Sequence, residues 1–141
     1  MAARIRWHQK RFEAKLKREV SKRMALAVEL VKGTARTLIS RGQPLGVVKS
    51  GKTAGRRFGL DPSKPGEPPK KVEGRLFNSI AARVVDSGTT ITGQVGTNVI
   101  YARRLELGTK GNQQRTKRPF LRPALKQNIP VIRKIFGARR R

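Results

Sequence analysis

The chain has 141 residues and a formal net charge of +26, from 34 lysines and arginines against 8 acidic residues. It has no cysteine and one histidine, His8, which excludes a disulfide framework, a thiolate nucleophile and a Cys- or His-rich metal site. Apolar residues make up 36%, enough for one compact core at this length and too little for two, so a single domain over 1–141 is expected.

The opening run Met1–Trp7 lacks the apolar segment of a secretory signal. From Arg11 to Ile39, Phe12, Leu16, Val20, Met24, Ala27, Val28, Val31, Ala35 and Leu38 recur at three- and four-residue steps. That spacing predicts an amphipathic helix over 11–39 with one apolar stripe for a core. Lys15, Arg18, Lys22, Arg23 and Lys32 fill the other face, and Gly33 is expected to weaken the last turns by about 1 kcal/mol. The longest apolar stretch, Met24–Val31, carries Glu29 and is too short for a bilayer, so a soluble protein with no membrane partner is expected.

Residues 41–72 lose this periodicity and read as an extended Pro/Gly-rich arm, ordered against a neighbouring subunit. Within it, Gly46–Thr53 matches the letters of a phosphate-binding loop, G-x-x-x-x-G-K-[ST]. The chemistry of such a loop needs a buried strand before it and a helix N-terminus after it. Arg41-Gly-Gln-Pro44 is no strand, and Gly55, Gly59 and Pro62 oppose a helix, so a basic loop is the favoured reading.

Residues 73–136 hold the remaining elements. Gly74 leads into a short helix over Arg75–Ala82, with Leu76, Ile80 and Phe77 inward. Arg83–Val85, the turn Asp86-Ser-Gly88 and Thr90–Val95 predict a β-hairpin, with Ile91, Gly93 and Val95 alternating against polar residues. A helix over Ile100–Leu107 is expected, capped by Thr97 or Asn98 and stopped by a left-handed Gly108. Pro123 suits the first position of a final helix, which Pro130 should kink or split near Asn128. Residues 137–141 form a basic tail.

Three blocks stand out in this half: Ser63–Pro69 running on to Gly74–Ile80, Tyr101–Thr109, and Arg118–Leu125. Each mixes apolar anchors with Gly or Pro, and none has the residues of an active site. Glu106 falls near a helix C-terminus, where the helix dipole disfavours negative charge, so a cationic partner is expected, with Arg75, Arg118 or Arg122 as candidates. A catalytic carboxylate would need a second tuned group, and no acid lies close by in sequence.

In order and spacing, these blocks resemble the tail-completion (neck, head–tail joining) minor tail proteins of long-tailed bacteriophages, similar to the lambda tail protein Z type. Glu73 stands where that family usually has Thr. The resemblance implies an α+β subunit: a long N-terminal amphipathic helix packed on a small antiparallel sheet, with short helices, a C-terminal helix and an extended arm. It further implies a structural virion protein, not an enzyme, without cofactor or metal. Copies would form a hexameric homo-oligomer ring around the passage for double-stranded DNA at the head–tail junction, assembled in the host cytoplasm beside connector and tail-terminator or tail-tube proteins.

The structural and subunit-interface residues carried by the blocks are Pro65, Gly66, Pro68, Pro69, Gly74, Leu76, Ser79 and Ile80, then Tyr101, Glu106, Gly108 and Thr109, then Pro119, Phe120, Arg122 and Pro123. Lys110, Arg115, Lys117, Arg118, Arg139, Arg140 and Arg141 are the candidate contacts to DNA or acidic partners, since every side-chain charge beyond Glu106 is positive. The alternative is a stand-alone basic nucleic-acid-binding protein, which the charge supports directly. No helix-turn-helix, zinc-finger or aromatic RNA-binding motif accompanies that charge.

Overall fold

The computed structural model describes residues 9–40, 63–70, 74–112 and 116–137. Its elements run α1 (Gln9–Ser40), α2 (Arg75–Ser79), β1 (Ala81–Asp86), β2 (Ile91–Gly96), α3 (Ala102–Leu107) and α4 (Leu121–Ile135). This is an α+β arrangement in which α1 is the spine. At 32 residues it is about 48 Å long, and α4 and the β1–β2 sheet both pack on it. The phosphate-loop match, most of the expected arm, Arg115 and Arg139–Arg141 lie outside the described residues.

The two halves of α1 differ. Ala27, Val28, Val31, Ala35 and Ile39 are buried, whereas Phe12 and Leu16, expected on the same core stripe, are exposed. Phe12 and Leu16 lie about a third of the circumference from the buried residues, on a face they share with exposed Leu26 and Leu30, and the elements that pack on α1 lie along its C-terminal part. Gly33 does not interrupt α1. It is exposed, and the Thr37 hydroxyl donates to its carbonyl at 3.0 Å.

β1 and β2 form an antiparallel hairpin in the register Ala82↔Val95, Val84↔Gly93 and Asp86↔Ile91. The inward residues Ala82, Val84, Ile91, Gly93 and Val95 are half-buried, while Ala81, Arg83, Val85, Thr92 and Gln94 face out. Period-two alternation therefore does predict the buried face. Asp86 Oδ1 accepts the Gly88 N–H at 2.8 Å, and Gly88 takes φ +87°, closing the turn as its Asp-Ser-Gly sequence requires. Gly93 matters for packing: a Cβ there would lie 2.5 Å from Val28 Cγ1 and 2.7 Å from Met24 Sδ. Only glycine lets the strand lie this close to α1.

The core gathers Val31, Ala35, Ile39, Leu76, Ile80, Val99, Ala102, Phe120 and Ala124. Phe120, Ile39 and Ile80 are its largest fully buried side chains, each contributing about 1.5–3 kcal/mol by burial. Arg36 fastens the rim, donating from Nη2 to the Ile80 carbonyl at 3.1 Å, with its guanidinium carbon 5.4 Å from the centre of the Phe77 ring.

α4 departs from expectation twice. Its helix runs through Pro130 without splitting. Pro123 is its third residue, not its first, where a missing N–H still costs no intrahelical bond. Asn128 is buried and joins the two long helices: its Nδ2 donates to Thr34 Oγ1 and to the Ala124 carbonyl, both at 2.8 Å.

Candidate functional site

Three segments that are remote in sequence meet at the start of α4. The organising group is Glu106, on the last turn of α3 and buried. Its Oε2 accepts the Phe120 N–H at 2.8 Å and the Leu121 N–H at 3.0 Å, and its Oε1 accepts the Arg122 N–H at 2.9 Å. These are the orphan donors of the first turn of α4, which no side chain of Phe120 could cap. The expected partner was a cationic side chain; the actual partners are backbone donors. The carboxylate that sits badly on the dipole of α3 sits well on that of α4, and charge-assisted bonds hold it there.

Arg118 is used differently from either expectation. Its backbone N–H donates to the Leu105 carbonyl at 2.6 Å, and its Nε donates to the Ser63 carbonyl at 2.8 Å. Its Nη1 reaches the Thr116 carbonyl at 3.1 Å. A residue held by two guanidinium bonds and one backbone bond is a tie between blocks, not an outward cation. The Ser63–Pro69 block is tied a second time, by the Gly66 N–H donating to the Lys117 carbonyl at 2.8 Å. Lys117 is half-buried here, while Lys110 is exposed.

The prolines of the first block do not simply extend the chain. Pro65 and Gly66 occupy a turn in which the Glu67 N–H donates to the Lys64 carbonyl at 3.0 Å, with Gly66 at φ +90°. Pro68 is half-buried and Pro69 buried. Gly74, at φ +77°, starts α2, which sends Leu76 into the core and is followed by buried Ile80. Ser79 Oγ shares a 2.6 Å hydrogen bond with Thr97 Oγ1, joining α2 to the end of β2.

The start of α3 is less tightly made than expected. Thr97 Oγ1 accepts the Val99 N–H at 3.2 Å, which shapes a turn and does not cap the helix; Tyr101 holds the cap position and is exposed. Gly108 stops α3 at φ +84°, ψ 174°, a backbone region open to glycine but not the left-handed helical one. Thr109 then donates its N–H to Thr116 Oγ1 at 2.8 Å, closing the basic loop between α3 and α4. Pro119 is half-buried beside fully buried Phe120, and the Arg122 side chain is exposed.

An open groove of about 1040 Å³ lies between β2 and α4, with Met24, Val28, Gly93, Val95, Leu121 and Leu125 among its walls. On another face Ile100 is 92% exposed next to Tyr101. Sequence reasoning missed the groove because it depends on how far α4 stands from the hairpin. Among the described residues no His, Cys, Asp or Glu cluster could hold a metal, and no helix is long and apolar enough to cross a membrane. Comparisons of the chain with protein-family models, curated proteins and solved structures find no match.

Proposed function

We propose that this chain is a structural subunit of the tail-completion (neck) kind, which forms a hexameric ring at the head–tail junction of a long-tailed phage and joins tail to head. The observation that supports it most is the convergence of the three sequence blocks on one node. There Glu106 holds the Phe120 N–H, Arg118 bonds to Leu105 and Ser63, and Gly66 bonds to Lys117, so each block is hydrogen-bonded to another. The residues that carry the family resemblance thus serve to set element against element, as a scaffold requires.

Two further features fit a ring subunit. Large apolar side chains stay exposed at Ile100, Tyr101, Leu107 and Leu125, and the groove beside α4 offers apolar area to a neighbour. The charge of +26 makes the isolated subunit self-repelling and suits it to acidic neighbouring rings or to DNA in the channel. Electron microscopy of particles made without this protein tests the reading. Accumulation of filled heads apart from finished tails is the expected result; normal virions would overturn it.

The charge also favours a second reading, a stand-alone nucleic-acid-binding protein. On that reading the monomer binds duplex DNA with a log K against log salt slope of about −0.9 per neutralised phosphate. A neck subunit instead attaches to purified heads or tails.

A further inference from the structure

Along α1 a second face is as regular as the one turned to the core. Phe12, Leu16, Glu19, Arg23, Leu26 and Leu30 follow at steps of four, three, four, three and four, the spacing of a coiled-coil seam. This face lies roughly a third of the helix circumference from the buried stripe. Phe12 is 54% exposed, Leu16 52%, Leu26 61% and Leu30 40%, and Glu19 pairs with Arg23 at 3.1 Å in their midst.

The six positions are symmetric about Ser21. If a second α1 is laid antiparallel with the two-fold axis at Ser21, Phe12 meets Leu30 of the second copy. Leu16 meets its Leu26, and Glu19 meets its Arg23. We propose that α1 pairs in this way with α1 of a second copy of this chain, giving an isologous antiparallel dimer. Apolar layers close both ends of the seam, and the two central layers are of opposite charge.

Charge decides the direction. A parallel pair in register would set Glu19 against Glu19 and Arg23 against Arg23 within the seam. The antiparallel pair replaces both repulsions with attractions. Beside the seam, Lys15 faces Glu29 of the second copy, while the two Lys22 meet across the axis, each next to the other copy's Glu19. The elements that pack on α1 cluster along its C-terminal half, so antiparallel pairing sets each body beside the N-terminal turns of the other. The inference stands on α1 alone and does not rest on the neck reading.

The test uses the full chain in about 0.5 M salt, where a Debye length of about 4 Å suppresses repulsion between the two cationic copies. Sedimentation equilibrium is expected to show a concentration-dependent dimer. Leu26→Glu should raise its dissociation constant by about tenfold or more, with helix content unchanged because the side chain is exposed. Arg23→Glu should weaken it similarly, and Glu19→Arg combined with Arg23→Glu should restore it. Because the chain has no cysteine, register can be read directly. A Leu16→Cys chain mixed with a Leu26→Cys chain should form a disulfide-linked pair, and neither should do so alone. In the antiparallel pair two copies of position 16 lie about 15 Å apart along the axis. Exclusively monomeric protein, or Leu16→Cys chains that link to each other as readily as to Leu26→Cys chains, would overturn the proposal.

Discussion

The two ends of α1 carry the same kind of sequence and have opposite surroundings. At the C-terminal end Val31, Ala35 and Ile39 are buried beneath α2, α3 and α4. At the N-terminal end Phe12 and Leu16 are exposed, on a face about a third of the circumference away from that buried stripe. Periodicity reports that a helix has an apolar face; it does not report whether that face has something to cover it within one chain. An isolated helical stretch of three turns is marginal in water. The N-terminal end therefore draws its order from continuity with the anchored end and, on the pairing inferred above, from a second copy.

Substitutions at the two ends should differ in proportion. Phe120→Ala empties the most enclosed site of the anchored end and should cost about 3–5 kcal/mol, read as a shift of the urea midpoint at constant slope. On the neck function proposed above, it should also prevent attachment to heads or tails. An unchanged midpoint would mean that the node around α4 is not what anchors α1.

Glu106→Ala should come next, at about 3 kcal/mol, because three backbone donors lose one charged acceptor group. Glu106→Gln, which keeps one carbonyl oxygen, should recover about half. If the carboxylate worked instead through a guanidinium, Arg122→Ala would cost as much as Glu106→Ala; it should cost little. Gly93→Val should destabilise by about 1–3 kcal/mol through overpacking against Val28 and Met24, detectable as a lower melting temperature. Asn128→Ala should cost about 1–2 kcal/mol by unlinking α4 from Thr34. Smallest of all, Leu16→Ala measured at concentrations where the protein is monomeric should change stability by no more than about 0.5 kcal/mol. A large loss there would show that the N-terminal turns are covered within the single chain.

Much of the architecture was legible from local signals. The long helix, the hairpin with its Asp-Ser-Gly turn, the helix stop at Gly108 and the existence of a last helix around Pro123 all follow from short-range rules that depend on few neighbours. Pro130 does not split α4, because its exposed position lets the helix lose one hydrogen bond to solvent without breaking, a matter of burial and not of the residue alone. Glu106 misled for a related reason. A carboxylate near a helix end calls for a positive partner, and the nearest cations in sequence are arginines. The positive end of another helix serves the same need and leaves no mark in composition.

What the amino-acid order determined here is the set of elements, their apolar faces and the excess of positive charge. Those depend on residues within one or two turns of each other, or on sums over the chain. Only the tertiary structure decided which half of α1 becomes core, which donors satisfy Glu106, and that Arg118 is a tie to Ser63 rather than a surface cation. Each of these depends on which groups lie within about 3 Å across long sequence separations, and hydrogen bonds and close packing act only at that range.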